Sequence, residues 1–295
     1  MITDERKRTW RLISSIGLLL LLLLGCQPAG GETAAPTEVA PTEVSAVTGA
    51  TPAAPEAATL NVFAAASLSD AFNEIGAAFG AANPGATVVF NFAGSNQLAT
   101  QIAEGAPADV FASANAAQMD AAVASGRIDT GAAQQFVTNR LVVVTPADNP
   151  AGITTLQDLA TPDTLLVLAA EEVPVGRYSL EFLDLAAAGA AFDSGFRETV
   201  LANVVSYEEN VRSVLNKVAL GEADAGIVYT SDLVGVEGVT ALEIPDALNI
   251  VAQYPIAPLN DSEQPELAAA FVEWVLSDAG QAILGNYGFG PSSGQ

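Results

Sequence analysis

The sequence predicts an α/β fold with mostly parallel sheets, and three observations carry that expectation. Short runs of Val, Leu, Phe and Ala alternate with stretches whose apolar residues recur every three or four positions. Two runs, Arg140 to Thr145 (RLVVVT) and Thr164 to Ala169, are almost continuously apolar, as strands covered on both faces are. Roughly 237 residues follow Ala58, enough for one large or two small lobes around a sizeable core.

The elements follow in order. Leu60 to Ala64 reads as a strand, and Leu68, Ala71, Phe72, Ile75 and Phe79 then share one helical face. Thr87 to Phe92 is a strand, followed by a helix from about Asn96 to Glu104. Asp109 to Ala112 is a third strand, and the helix Ala116 to Ser125 is closed by Gly126. After the two apolar runs a helix begins near Gly176, and Val211, Val214, Leu215 and Val218 mark another that Gly221 ends. Ala225 to Tyr229 and Ile250 to Tyr254 are later strands, and Pro265 to Leu276 and Asp278 to Asn286 are closing helices. Such a βαβα order places ligands at the carboxyl ends of the strands.

The first 58 residues read differently. Arg6, Lys7, Arg8 and Arg11 form a positive segment before the mostly apolar run Leu12 to Leu24, which suits a signal sequence and is short for a membrane span. Leu23-Leu24-Gly25-Cys26 resembles a bacterial lipobox. That resemblance implies cleavage after residue 25 and lipid attachment at Cys26, the chain's one cysteine. Residues 27–58 are rich in Ala, Pro, Thr, Gly and Glu and repeat APTEV, so they are expected to form a disordered tether. The protein is thus expected to be exported and held at the outer face of the cell membrane, or in the periplasm.

Composition removes several function classes. The chain has no histidine, which excludes Ser-His-Asp and Cys-His nucleophile systems and His-bearing zinc sites. Lys217 is the only lysine beyond residue 25, so an enzyme is the disfavoured class, and neither a cofactor nor a directly coordinated metal is expected. Removal of residues 1–25 takes four of the 10 Lys and Arg and two of the 34 Asp and Glu, leaving six against 32 and a net charge of −26. That charge argues against nucleic acid and against electrostatic adhesion to anionic lipid.

Two serines stand where strands end and helices begin. Ser67 is placed as the N-cap of the first helix, and Ser95 in the matching place after the second strand. Helix starts expose unpaired N–H groups and a partial positive charge, so two converging starts would cradle an anion without a cation. Alone, each serine reads as a routine cap.

Longer blocks sharpen this reading: FAAASL (Phe63 to Leu68), FAGSNQLATQIAEGAPADVFASA (Phe92 to Ala114), NRLVVVTP (Asn139 to Pro146), VPVGRY (Val173 to Tyr178), ENVRSVL (Glu209 to Leu215), GIVYTSD (Gly226 to Asp232) and YPIAP (Tyr254 to Pro258). From about Leu60 to Phe289 the chain resembles the molybdate-binding proteins of bacterial ABC importers. The resemblance implies a two-lobed, type II periplasmic-binding-protein fold, with lobe I over 59–139 and 245–295 and lobe II over 140–244. It implies that molybdate or tungstate is held as an oxyanion by Ser67 and Ser95 (hydroxyl and N–H), Val175 and Val211 (N–H) and the Tyr229 phenol. Without it, Val175 and Val211 read as core and Tyr229 as a packing residue.

The resemblance further implies an ABC permease and ATPase as partners, a monomer, and lobe closure as the signal. A sulfate-type binder, or a sensory or scaffolding lipoprotein using the same closure, are the alternatives. Two departures from the family pattern stand near the expected site: Val175 replaces an alanine, and Ala170-Glu171-Glu172 brings two carboxylates that would be solvated or paired with Arg177 or Arg212. Cys26→Ser is expected to abolish lipid modification, and unchanged membrane fractionation and mature mass would refute the anchor.

Overall fold

A computed structural model describes residues 58–292; the signal sequence, Cys26 and nearly all of the tether lie outside the described residues. The first part contains β1 (Ala58–Ala65), α1 (Ser69–Ala82), β2 (Ala86–Ala93), α2 (Ser95–Ala103), β3 (Val110–Ala112) and α3 (Ala116–Ala124). Next come β4 (Gln134–Pro146), β5 (Leu166–Ala169), α4 (Pro174–Ala188), α5 (Phe196–Ala202), β6 (Val204–Glu208), α6 (Val211–Ala219), β7 (Ala225–Tyr229) and β8 (Val239–Glu243). The chain closes with β9 (Val251–Pro258), α7 (Pro265–Leu276), α8 (Asp278–Asn286) and the short β10 (Gly290–Pro291).

The strand order is β2-β1-β3-β9-β4-β7-β5-β6, with β8 and β10 also on β4. Two parallel trios, β2-β1-β3 and β6-β5-β7, match the α/β expectation. The strands joining them, β9 and β4, run antiparallel to their neighbours. Strand β4 belongs to both halves: Gln134 to Arg140 pairs with β9, whereas Leu141 to Val144 pairs with β7. At the switch the Asn249 side chain accepts from Leu141 N and donates to Leu141 O, both at 2.9 Å, so both peptide groups of Leu141 have partners. Leu141, Val142, Val143 and Val144 are all buried, which explains the uninterrupted apolar run.

Each half has its own packing. In the first, Phe72 and Phe79 of α1 meet Phe271 of α7 edge-on, with ring centroids 6.1 and 5.3 Å apart, and Phe136 of β4 closes the cluster. In the second, Phe182 and Leu183 of α4 and Val214, Leu215 and Val218 of α6 are buried in the core that includes β5 and β7.

Several boundaries differ from the sequence expectation. Strand β4 starts six residues earlier than the apolar run at Arg140, because Gln134 to Asn139 pairs with β9 through a bulge near Gln135. Helix α4 starts at Pro174, whose fixed φ and missing N–H suit a first helical position. Helix α5 and strands β6, β8 and β10 were not anticipated. Strand β6 lies at the sheet edge with Val205 and Tyr207 exposed, so it lacks the apolar run of a central strand.

Gly176 fixes how α4 begins. A Cβ at this position would fall well inside contact distance of the Ala169 and Ala170 carbonyl oxygens, which belong to backbone and cannot swing away. Gly176→Ala is expected to destabilise the fold by about 1–3 kcal/mol through overpacking. A denaturation midpoint equal to wild type would refute this close approach.

Candidate functional site

Four helical starts converge on one cavity between the two halves of the sheet. From the first half come the turn after β1 (Ala65, Ala66, Ser67), the β2–α2 junction (Ala93, Gly94, Ser95) and Ala114. From the second come the start of α4 (Val173, Pro174, Val175), the start of α6 (Asn210, Val211) and Tyr229 at the end of β7. All five expected ligand-facing residues thus line the same cavity. They are also buried: Ser67 is 3%, Ser95 1%, Val175 1%, Val211 4% and Tyr229 1% exposed. Even with open space at its mouth, the cavity holds only about 210 Å³. The cavity proper measures about 10 Å³, far below the roughly 300–1,000 Å³ of sites for organic ligands, so this one suits a small ion.

Neither serine is the helix cap expected from the sequence. Ser67 lies inside a 3-10 turn, Ala66–Leu68, that runs directly into α1. Ser95 is the first residue of α2, and Gly94 precedes it as the cap. The reason at Gly94 is space, since a Cβ there would lie 2.5 Å from the Glu209 carbonyl oxygen of the opposite half. The turn after β1 and the starts of α2 and α4 have no side-chain cap, whereas Asn210 caps α6 by accepting from Ser213 N at 3.0 Å. Pro174 has no N–H, so the first backbone donor of α4 is that of Val175.

The cavity wall combines hydroxyl groups and the starts of helices with small apolar side chains and carries no charged side chain. Ser95 Oγ accepts from Ala114 N at 3.0 Å, which leaves its hydroxyl proton free. Tyr229 Oη has no hydrogen-bond partner among the described residues, although the side chain is buried. Burial pushes the Tyr229 phenol well above its ordinary value of 10.0, so it stays protonated and able to donate. Among the described residues no group of three His, Cys, Asp or Glu is arranged to hold a metal ion.

Charges gather behind the cavity. Arg212, one residue after Val211, reaches Asp70 of α1 at 2.6 Å and Asp232 at 3.0 Å, joining the two halves. Gln97 Nε2 donates to Glu209 Oε2 at 3.2 Å, and Gln118 Nε2 to the Glu172 carbonyl at 3.3 Å, so three contacts span the cleft. Glu171 and Glu172 are exposed and make no ion pair among the described residues, so they are the solvated loop charges of the two options. Val175 keeps its side chain in the core, and Ser179 Oγ donates to its carbonyl at 2.7 Å. The network around Asn139, Tyr254 and Asp232 was not anticipated, although NRLVVVTP, YPIAP and GIVYTSD contain these residues.

Asp232 is fully buried. Burial raises its carboxyl from 3.8 to about 6, while the Arg212 guanidinium and a hydrogen bond from Tyr229 N oppose the shift. The folded-state value lies above the unfolded one. The ionised carboxylate therefore opposes folding above pH 6, and that penalty is relieved as pH falls through 6 towards 3.8. The stability of wild type minus that of Asp232→Asn, from chemical denaturation at a series of pH values, is expected to rise between about pH 7 and about pH 4. A difference that falls on acidification would refute the assignment.

Comparison with known proteins agrees with this geometry. The family described as bacterial extracellular solute-binding protein matches residues 60–290. The chain is 40% identical over 277 residues to the molybdate-binding protein ModA of Mycobacterium tuberculosis, covering 93% of this chain and 97% of that one. It is 35% identical over 237 residues to ModA of Escherichia coli, covering 78% and 88%. Among solved structures, the sulfate-binding protein SubI of Mycobacterium tuberculosis superposes with a TM-score of 0.72 at 18% identity, covering 80% and 88%, a likeness of fold. With two sheet halves around one small donor-lined cavity and a family match across nearly all of the described residues, the chain is a member of the bacterial extracellular solute-binding protein family, with the type II periplasmic-binding-protein fold.

Proposed function

We propose that this protein is the extracytoplasmic solute-binding component of an ABC importer that captures molybdate, and tungstate equally, without catalysis. The observation that carries the reading is the cavity itself: small, uncharged, and lined by hydroxyl and N–H donors from both halves of the sheet. The molybdate-binding relatives support the ligand class. Ser67, Ser95 and Tyr229 would donate from their side chains, and Val175 and Val211 from backbone N–H groups. Hydrogen bonds to a charged acceptor contribute about 1.5–3 kcal/mol each. About seven of them would outweigh desolvation of the dianion and hold it at micromolar concentration or tighter, about −8 kcal/mol.

The two halves would act as lobes, 59–139 with 245–295 against 140–244. Support comes from β4, whose partner changes between Arg140 and Leu141, and from the passage out of β8 at Glu243 into β9 at Val251. Closure over the anion would bring the donors together and present a surface to the permease and its ATPase. A lipid on Cys26 would hold a monomer at the membrane, with the segment 27–58 as its tether.

Calorimetric titration with molybdate, tungstate, sulfate and phosphate tests the reading. Molybdate and tungstate, close in size, are expected to bind alike, and the smaller sulfate roughly tenfold more weakly, about 1.4 kcal/mol. Phosphate, partly protonated near neutral pH, points a proton at a donor and is expected to bind poorly. Ser67→Ala and Ser95→Ala are each expected to weaken molybdate by about 1–3 kcal/mol with the fold intact. A preference for sulfate, or serine variants that bind as wild type does, would overturn it.

A further inference from the structure

Behind Ser67 lies a chain of buried polar groups whose proton directions can be derived one by one. It begins at Arg140 N, a backbone group that can only donate, which reaches Asn139 Oδ1 at 3.0 Å. Thr230 Oγ1 donates to the same oxygen at 3.1 Å. The Asn139 amide is thereby fixed, with Oδ1 on that side and Nδ2 on the other. Asn139 Nδ2 then donates to Ser231 Oγ at 2.8 Å and to Tyr254 Oη at 3.3 Å. Among the described residues, Tyr254 Oη has one further partner within hydrogen-bond geometry, Ser67 Oγ, at 2.9 Å; the nearby Tyr229 hydroxyl makes no such bond. Asn139, Tyr254 and Ser67 are 1%, 0% and 3% exposed, so a hydroxyl proton without an acceptor would be costly. Asn139 Nδ2 cannot accept, so the Tyr254 proton goes to Ser67 Oγ. Ser67 already accepts there, and its own proton is left for the cavity.

We infer that Asn139 and Tyr254 are positioning residues that fix the proton direction of Ser67, so that its hydroxyl always has a proton to donate to the bound anion. The relay starts at the Arg140 peptide, where β4 passes from one half of the sheet to the other. Ser95 is set in the same sense by a backbone donor, Ala114 N at 3.0 Å. Both side-chain hydroxyls of the first half are thus directed before any ligand arrives, and the anion need not reorient them. This inference rests on the proposed oxyanion-binding function and adds the residues that make Ser67 a donor.

A substitution that reverses the relay tests it. In Asn139→Asp a carboxylate oxygen would accept where Nδ2 donated, turning the Tyr254 proton towards it. Ser67 would then donate to Tyr254 and lose its proton for the anion. Calorimetric titration of the mature protein with sodium molybdate is expected to show at least about tenfold weaker binding for Asn139→Asp. Tyr254→Phe cuts the relay and leaves the Ser67 hydroxyl present but undirected, so it is expected to weaken binding measurably, by about two- to fivefold, and less than Ser67→Ala; binding equal to wild type would overturn the relay. In the Tyr254→Phe background, adding Asn139→Asp is expected to cost clearly less than in wild type, because only its charge still acts. An equal penalty in both backgrounds overturns the relay, since a charge effect or a packing defect would persist without Tyr254. Should Asn139→Asp fail to fold by circular dichroism, the comparison of Tyr254→Phe with Ser67→Ala decides alone: a loss as large as that of Ser67→Ala overturns the relay. Failure of the wild type to bind molybdate, tungstate or sulfate overturns the proposed function and the relay together, whereas wild-type binding with equal penalties overturns the relay alone.

Discussion

The shared strand β4 is the constraint on which the rest of the molecule depends. One run of backbone satisfies β9 with its first half and β7 with its second, so the two parallel trios hang from a single extended segment. Peptide groups at such a switch risk losing their partners, and the Asn249 side chain supplies them for Leu141. The same few residues govern the cavity. Leu141 stands opposite Tyr229 in the ladder, and Asn139 is linked through Tyr254 to Ser67. The positions of two of the donors, Ser67 and Tyr229, are thereby tied to the place where β4 changes partners.

An acidic chain with an anion-directed cavity is less paradoxical than its net charge of −24 suggests. Exposed carboxylates are screened by salt over about 8 Å, whereas the cavity wall consists of backbone N–H groups, hydroxyls and small apolar side chains. The guanidinium of Arg212, the residue after Val211, is engaged by Asp70 and Asp232. Its pairing joins the halves behind the site and places no cation in it. Helix starts supply positive potential without the desolvation penalty of a buried cation, and three of the four starts here lack the side-chain cap that would compete for their donors.

Legibility followed burial. The central strands and the amphipathic helices were readable because full burial leaves apolar runs and a regular spacing of three and four. Strands β6 and β8 were not, since exposed or polar residues such as Tyr207 and Glu243 break up their apolar runs, whereas β2, also at a sheet edge, keeps Val88, Val89, Phe90 and Phe92 close together. The turn at Ser67 departs from the capped helix start expected there for a different reason. A serine after a strand has the same local sequence whether it caps a helix or sits within a 3-10 turn, and here contact with Tyr254, 187 positions away, accompanies the second arrangement.

The sequence by itself determined the α/β class and the order of the principal elements, and the family resemblance carried by its longer blocks singled out the five residues that line the cavity. Those properties are written in local periodicity and in contiguous words, which need no distant partner to be read. Tertiary structure alone decided that four helical starts meet, that Gly94 must yield space to the Glu209 carbonyl, and that Asn139 and Tyr254 stand behind Ser67. Each of these joins residues far apart in the chain. Hydrogen-bond direction in a buried network depends on every member at once, so no single segment of sequence contains it.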